Sequence, residues 1–300
     1  MSRPAATRSK TIAVAALLGG AAAIGTSALF VKVSEAGPVS TAFWRVFLAL
    51  PVLFAWARLE RRNIAAAETP GTWRLMLLAG FFFAGDLAVW HWSIVLTSVA
   101  NATLLANCAP IFVTMAAWML LGRRPSLFFV TGLAMALAGM ALLLRGDFHA
   151  AGSALIGDGL GIITAMFYAA YQLTVTRVRE TVSTARLMAV SGAVTALILL
   201  PIALVSGERF VPMSAHGWLL LLGLALIAQA AGQSLIAYAM AHLPPDLSSV
   251  SLLLQPVIAA ALAWLLLGEA LTALAISGAV LVLIGIRIAH AAERAGQAIG

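Results

Sequence analysis

The sequence predicts an all-helical integral membrane protein, with ten transmembrane helices arranged as two inverted five-helix repeats around a central cavity. Three observations carry this reading. The 300 residues are 62% hydrophobic and only 10% charged, with a mean hydropathy of +1.02, more apolar surface than a water-soluble chain can bury. The apolar residues fall into runs, each near the ~20 residues that cross a ~30 Å hydrocarbon core. One stretch, Ala106 to Gly132, is repeated at Leu252 to Gly278 at a constant offset, aligning Pro110 with Pro256, Trp118 with Trp264 and Gly122 with Gly268.

In order, the spans are expected at 11–33, 39–58, 73–96, 98–121, 127–144, 154–176, 184–205, 215–240, 245–267 and 271–291. Backbone polar groups in lipid must be satisfied within the segment, and no barrel-like alternation is present, so each run reads as a helix. The first follows a basic start, as a signal peptide would, but its length and the nine spans behind it favour an uncleaved helix. The halves divide at 1–150 and 151–300.

Orientation follows from the arginines and lysines of the short loops. With the N-terminus in the cytoplasm, Arg3, Arg8, Lys10, Arg58, Arg61, Arg62, Arg74, Arg123, Arg124, Arg177, Arg179, Arg186, Arg287 and Arg294 lie inside. Only Lys32, Arg145 and Arg209 lie outside, and Arg45 falls within a span. Both termini are therefore expected on the cytoplasmic side. Five spans per copy reverse the second copy in the membrane, which explains why Arg123-Arg124 in the first turn is replaced by Glu269-Ala270 in the second. Inverted repeats of this kind are the architecture of many secondary transporters, whose site lies between the halves near the midplane.

Polar groups inside the spans are the candidate substrate-binding residues, because an ionised or amide group in lipid must face the bundle interior, find a partner or line a wet cavity. Asp86 lies about 18 Å of helix beyond Arg74; Arg45 and Asp158 lie nearer the outer surface. A structural ion pair of Arg45 with Asp86 or Asp158 is one reading. The other has Arg45 attracting a substrate carboxylate, with Asp86 as counter-charge or acceptor for an ammonium. Neutral candidates are Asn101, Asn107, Gln172, Gln229, Gln233, Ser251 and Gln255, with Gln229/Gln233 and Ser251/Gln255 each spaced four apart and so on one helix face. Each alone is explained by interhelical hydrogen bonding; amides from four helices at similar depth point to a shared cavity.

Trp90 and His91 fit an interfacial belt, yet Trp90 is one turn past Asp86. Tyr168, Tyr171 and Tyr238 suit the lining for an apolar or aromatic side chain. Pro110 and Pro256 are candidate hinges, since proline leaves a carbonyl unpaired within the helix, and Pro51 and Pro201 do likewise. Metal and cofactor sites are not expected: Cys108 is the single cysteine and the five histidines are scattered. The basic residues form no long face for nucleic acid, and P-loop, H-E-x-x-H and G-x-S-x-G motifs are missing.

The residues that carry the repeat also carry a likeness. Gly25 to Lys32 (GTSALFVK) with Pro38 and Arg45, Gly157-Asp158 with the Ala165-to-Tyr168 centre, Ala100-Asn101-Ala102 with Pro110, and Pro256 with Leu267-Gly268-Glu269 resemble the EamA family of the drug/metabolite transporter superfamily, over residues 11 to 291. The resemblance implies a secondary transporter working by alternating access in the bacterial inner membrane, with an outward-moved zwitterionic amino acid, aromatic or otherwise neutral, as substrate; the expected partners are that substrate and the lipid bilayer, and a monomer is one expectation that the sequence does not decide. Two departures matter: Arg123 and Gln255 stand where the family often has glutamate, and the second removes a carboxylate that proton coupling would use. Efflux of drug-like cations or other small metabolites, a channel, and a membrane enzyme using Asp86 and His91 are the alternatives.

Overall fold

The computed structural model describes residues 3–60, 70–144, 152–268 and 270–299. Among these the fold is all-helical, with ten helices long and apolar enough to cross a membrane: Lys10–Lys32, Pro38–Glu60, Pro70–Leu96, Ala100–Leu120, Leu127–Leu144, Ser153–Val178, Thr184–Val205, Ala215–Ala239, Pro245–Leu266 and Ala273–Ala295. They are spans 1 to 10 below. Arg61, Arg62, Arg145 and Glu269, used in the orientation argument, lie outside the described residues.

Several spans are interrupted, and one pair of interruptions corresponds between repeats. Span 4 consists of Val99–Ala106 and Ala109–Leu121, and span 9 of Pro245–Ser251 and Leu254–Leu267. Pro110 and Pro256 sit in the first turn of the second segment in each case, where a missing N–H costs no intrahelical bond. Both segments end on a glycine with left-handed backbone, Gly122 and Gly268, each at φ 68°, a conformation that side-chain-bearing residues adopt only with strain. Span 2 breaks between Phe47 and Leu50, just before Pro51. Pro201, by contrast, lies inside an unbroken helix, Thr184–Val205.

Span 8 is interrupted differently. Between Ala215–Gly223 and Ser234–Ala239 it carries ten residues of π-helix, Leu224–Gln233, a wider winding that is uncommon and concentrates at functional sites. Its counterpart, span 3, is one helix, Pro70–Leu96.

Small residues set the packing. Spans 5 and 10 lie against each other so closely that a methyl group on Gly139 would stand 2.6 Å from the Gly278 carbonyl oxygen, and one on Gly132 2.8 Å from that of Gly285. Gly132 and Gly139 occupy the repeat positions of Gly278 and Gly285, so the contact pairs each glycine with its mate's neighbour across a pseudo-two-fold axis. Close approach of this kind supplies the van der Waals contact that lipid-facing helices otherwise lack. Span 3 packs on span 6, where Gly85 admits the Phe167 ring, and span 1 on span 8, where Gly20 meets the Gly232 carbonyl.

Candidate functional site

The deepest polar cluster joins spans 2, 3, 6, 8 and 9. Arg45, on the N-terminal segment of span 2, is 9% exposed. Its Nε donates to Gln229 Oε1 at 3.1 Å, and its terminal guanidinium nitrogens have no partner among the described residues. Asp86, about midway along span 3, exerts its field on Arg45, but the two form no salt bridge and Asp86 accepts no hydrogen bond from a described residue. The carboxylate and the guanidinium therefore act on each other through the field without neutralising each other by contact.

The neighbours of this pair are aromatic. Tyr171 stacks on Phe83 with ring centroids 4.9 Å apart, and Tyr168 lies parallel to Tyr171 at 6.2 Å. Gln233 Nε2 donates to the Tyr171 hydroxyl at 3.0 Å, while Tyr168 interacts with the Gln255 side chain and senses both Asp86 and Arg45. Span 8 supplies both glutamines from its π-helical segment, where Gln229 and Gln233, four residues apart, lie on one side. Nε2 of Gln229 and of Gln255 are buried without a hydrogen-bond partner, donors whose desolvation is costly unless a ligand or water meets them.

Arg45, Asp86, Tyr168, Tyr171, Gln229, Gln233 and Gln255 thus come together, and Phe83, absent from the sequence reading, joins them. Phe83 is one turn before Asp86, so its face was readable, but three successive phenylalanines gave no reason to choose it.

The other candidates make the following contacts, with His91 still within the field of Arg45. His91 is buried and its Nδ1 pairs with the Leu87 carbonyl; Trp90 packs edge-on against it at 5.0 Å. Asn101 donates to Asp158 Oδ1 at 3.3 Å, which also accepts from Thr97 Oγ1 at 2.7 Å, so Asp158 ties spans 3, 4 and 6 together and does not pair with Arg45. Asn107 donates to the Thr103 carbonyl at the break of span 4. Gln172 is 1% exposed and neither end of its amide has a partner. Tyr238 packs on His242. Ser251 is fully buried between the Leu247 carbonyl and His290 Nε2, each at 2.8 Å.

At the end of the bundle nearest Arg45, the two repeats are tied by carboxylates at helix starts. Glu35, before span 2, accepts from the Ser214 hydroxyl and from the backbone N–H groups of Met213 (2.8 Å) and Ser214 (3.0 Å) at the start of span 8. Those bonds, the hydroxyl's foremost, hold its carboxyl below the usual carboxylate range. Glu208, before span 8, in turn accepts from Val39 N–H at 2.9 Å at the start of span 2. Each negative charge meets the positive end of a helix dipole. Trp44 adds a further bond between the repeats by donating to the Phe210 carbonyl at 2.7 Å.

Comparisons with known proteins agree with this architecture. A solved crystal structure superposes with a TM-score of 0.79 at 20% identity, covering 96% of this chain and 98% of that one, a likeness of fold. An uncharacterised transporter of Archaeoglobus fulgidus is 25% identical over 92% of this chain and 95% of its own length; a second from the same organism is 28% identical over 60% of this chain and 63% of its own. A protein of Streptantibioticus cattleyicolor described as a probable terminal-alkyne amino-acid exporter is 30% identical over 66% of each chain. The profile of the EamA-like transporter family matches residues 11–145 and again 155–290. This chain, matched over both halves, belongs to the EamA-like transporter family.

Proposed function

We propose that the protein exports amino acids, aromatic and other neutral ones above all, across the bacterial inner membrane by alternating access, with both termini in the cytoplasm. The observation that carries this reading is an arginine and a carboxylate within the spans that act on each other and do not pair, near a stack of Phe83, Tyr171 and Tyr168. A zwitterion supplies what each lacks: its carboxylate takes the terminal nitrogens of Arg45, with the idle amides of Gln229 and Gln255 in support, and its ammonium takes Asp86. An aromatic or aliphatic side chain packs on the rings. A relative described as an amino-acid exporter supports the same substrate class, and the arginine-rich ends of the spans support the orientation.

Uptake of radiolabelled amino acids into liposomes containing the purified protein tests the reading. Saturable uptake stimulated by preloaded amino acid, and lost in Arg45→Ala, is expected. No uptake of neutral, aromatic or charged amino acids by folded protein overturns it and favours the second reading, efflux of organic cations, for which Asp86 and the tyrosine stack alone suffice. Repeating the assay with a proton gradient decides whether protons drive transport, which Gln255 in place of a carboxylate argues against.

A further inference from the structure

The outer side of the packed spans 5 and 10 carries an apolar groove that ends in positive charge. Phe128 of span 5 and Val280, Leu283, Ile284 and Ile288 of span 10 line it, and Arg287 is the only charged residue among them. Arg287 is exposed and has no acidic partner among the described residues. The charges around it are mostly of its own sign. Arg294 follows seven residues later on the same helical face, Arg124 is exposed just before span 5, and the neighbouring carboxylate, Glu293, is paired with Arg123 at 3.4 Å.

An arginine on the lipid-facing side of a membrane helix lays its stem along apolar surface and carries its charge toward the headgroups. Here the stem lies in a groove shaped by two helices, and the rim around the charge is cationic. We propose that the groove is a binding site for an anionic phospholipid, one acyl chain lying along span 10 and the headgroup phosphate on Arg287. A zwitterionic lipid satisfies the phosphate contact equally, but its ammonium meets the repulsion of Arg294 and Arg124; a headgroup of net negative charge does not. A second copy of the chain is disfavoured on the same ground, because a symmetric contact through this face sets the arginine rims against each other. Juxtamembrane arginines each contribute attraction to anionic lipid of about fivefold in affinity.

Native mass spectrometry of the purified full-length protein, with phosphatidylglycerol or phosphatidylcholine added to the detergent micelles, reads the site directly. Phosphatidylglycerol is expected to be retained several-fold over phosphatidylcholine. Arg287→Gln should bring the two toward parity, Arg287→Lys should keep most of the preference, and Arg58→Gln, an arginine on span 2, should leave it unchanged. Equal retention of both lipids by the unaltered protein, or a preference that survives Arg287→Gln, overturns the site, as does a predominance of lipid-free two-copy particles. If Arg287→Gln does not fold, Leu283→Trp fills the groove with the charge intact: reduced retention supports the site, and unchanged retention overturns it.

Discussion

Arg45 offers five donors and directs one of them at a neutral glutamine. That choice of partner positions the guanidinium without cancelling it, which a carboxylate in the same place would do. Hydrogen bonds to charged groups contribute about 1.5 to 3 kcal/mol, so Gln229→Ala is expected to weaken transport by about tenfold or more, seen as a rise in the substrate concentration for half-maximal uptake, with the protein still folded. Asp86→Asn keeps the size of the side chain and removes the charge that would meet an ammonium. It should abolish zwitterion uptake while leaving the melting temperature within a few degrees, because Asp86 makes no salt bridge or hydrogen bond with a described residue whose loss would destabilise the fold. A large loss of stability in Asp86→Asn would instead mark that carboxylate as structural.

At the scale of helices and loops, carboxylates tie the two repeats at the end of the bundle nearest Arg45. Glu35 and Glu208 reach from each repeat to a helix start in the other, so losing one leaves the second in place. The double variant Glu35→Ala/Glu208→Ala, made with Ser40→Cys on a Cys108→Ser background, should react with a maleimide several-fold faster than Ser40→Cys alone. Because the Glu35 carboxyl is held below the usual carboxylate range, its contribution is complete above that range and is lost only as pH falls through the lowered value. Divided by the labelling rate of a fully exposed cysteine at the same pH, which removes the falling thiolate fraction, the labelling of the singly tied protein should therefore stay flat across neutral pH and rise only below the usual carboxylate range. The contact between spans 5 and 10 makes a further demand: Gly139→Leu forces bulk into a gap that already excludes a methyl group, and overpacking of this kind costs about 1 to 3 kcal/mol, measurable as a lowered melting temperature in detergent.

For the whole molecule, both termini are expected on one side of the membrane, which reporter fusions at each end will check; opposite locations would overturn the inverted arrangement. The ten spans were legible in the sequence because crossing a bilayer is a constraint on length and apolarity alone, and a single chain shows both. The repeat was legible because Pro110 and Pro256 recur with their surroundings. Helix-face arguments held where the helix is continuous or π-wound, as for Gln229 with Gln233, and failed across breaks. Ser251 shares a four-residue spacing with Gln255, but the helix is interrupted at Leu252 and Leu253, and Ser251 turns to His290 on span 10 instead of toward Tyr168. Nothing in the composition of Leu224–Gln233 announced a π-helix, since that winding depends on which side-chain contacts the neighbouring spans reward.

The glycines of spans 5 and 10 bear on how such a chain can be assembled. Their contact is isologous in the sense used for symmetric dimers: the same surface on both partners, related by a two-fold axis. Two separate five-helix chains inserted in opposite senses would present that surface to each other without any covalent link. The polypeptide severed between residues 145 and 155 and expressed as two pieces should accordingly regain a transport-competent pair, and Gly139→Leu in one piece alone should be enough to keep the halves apart.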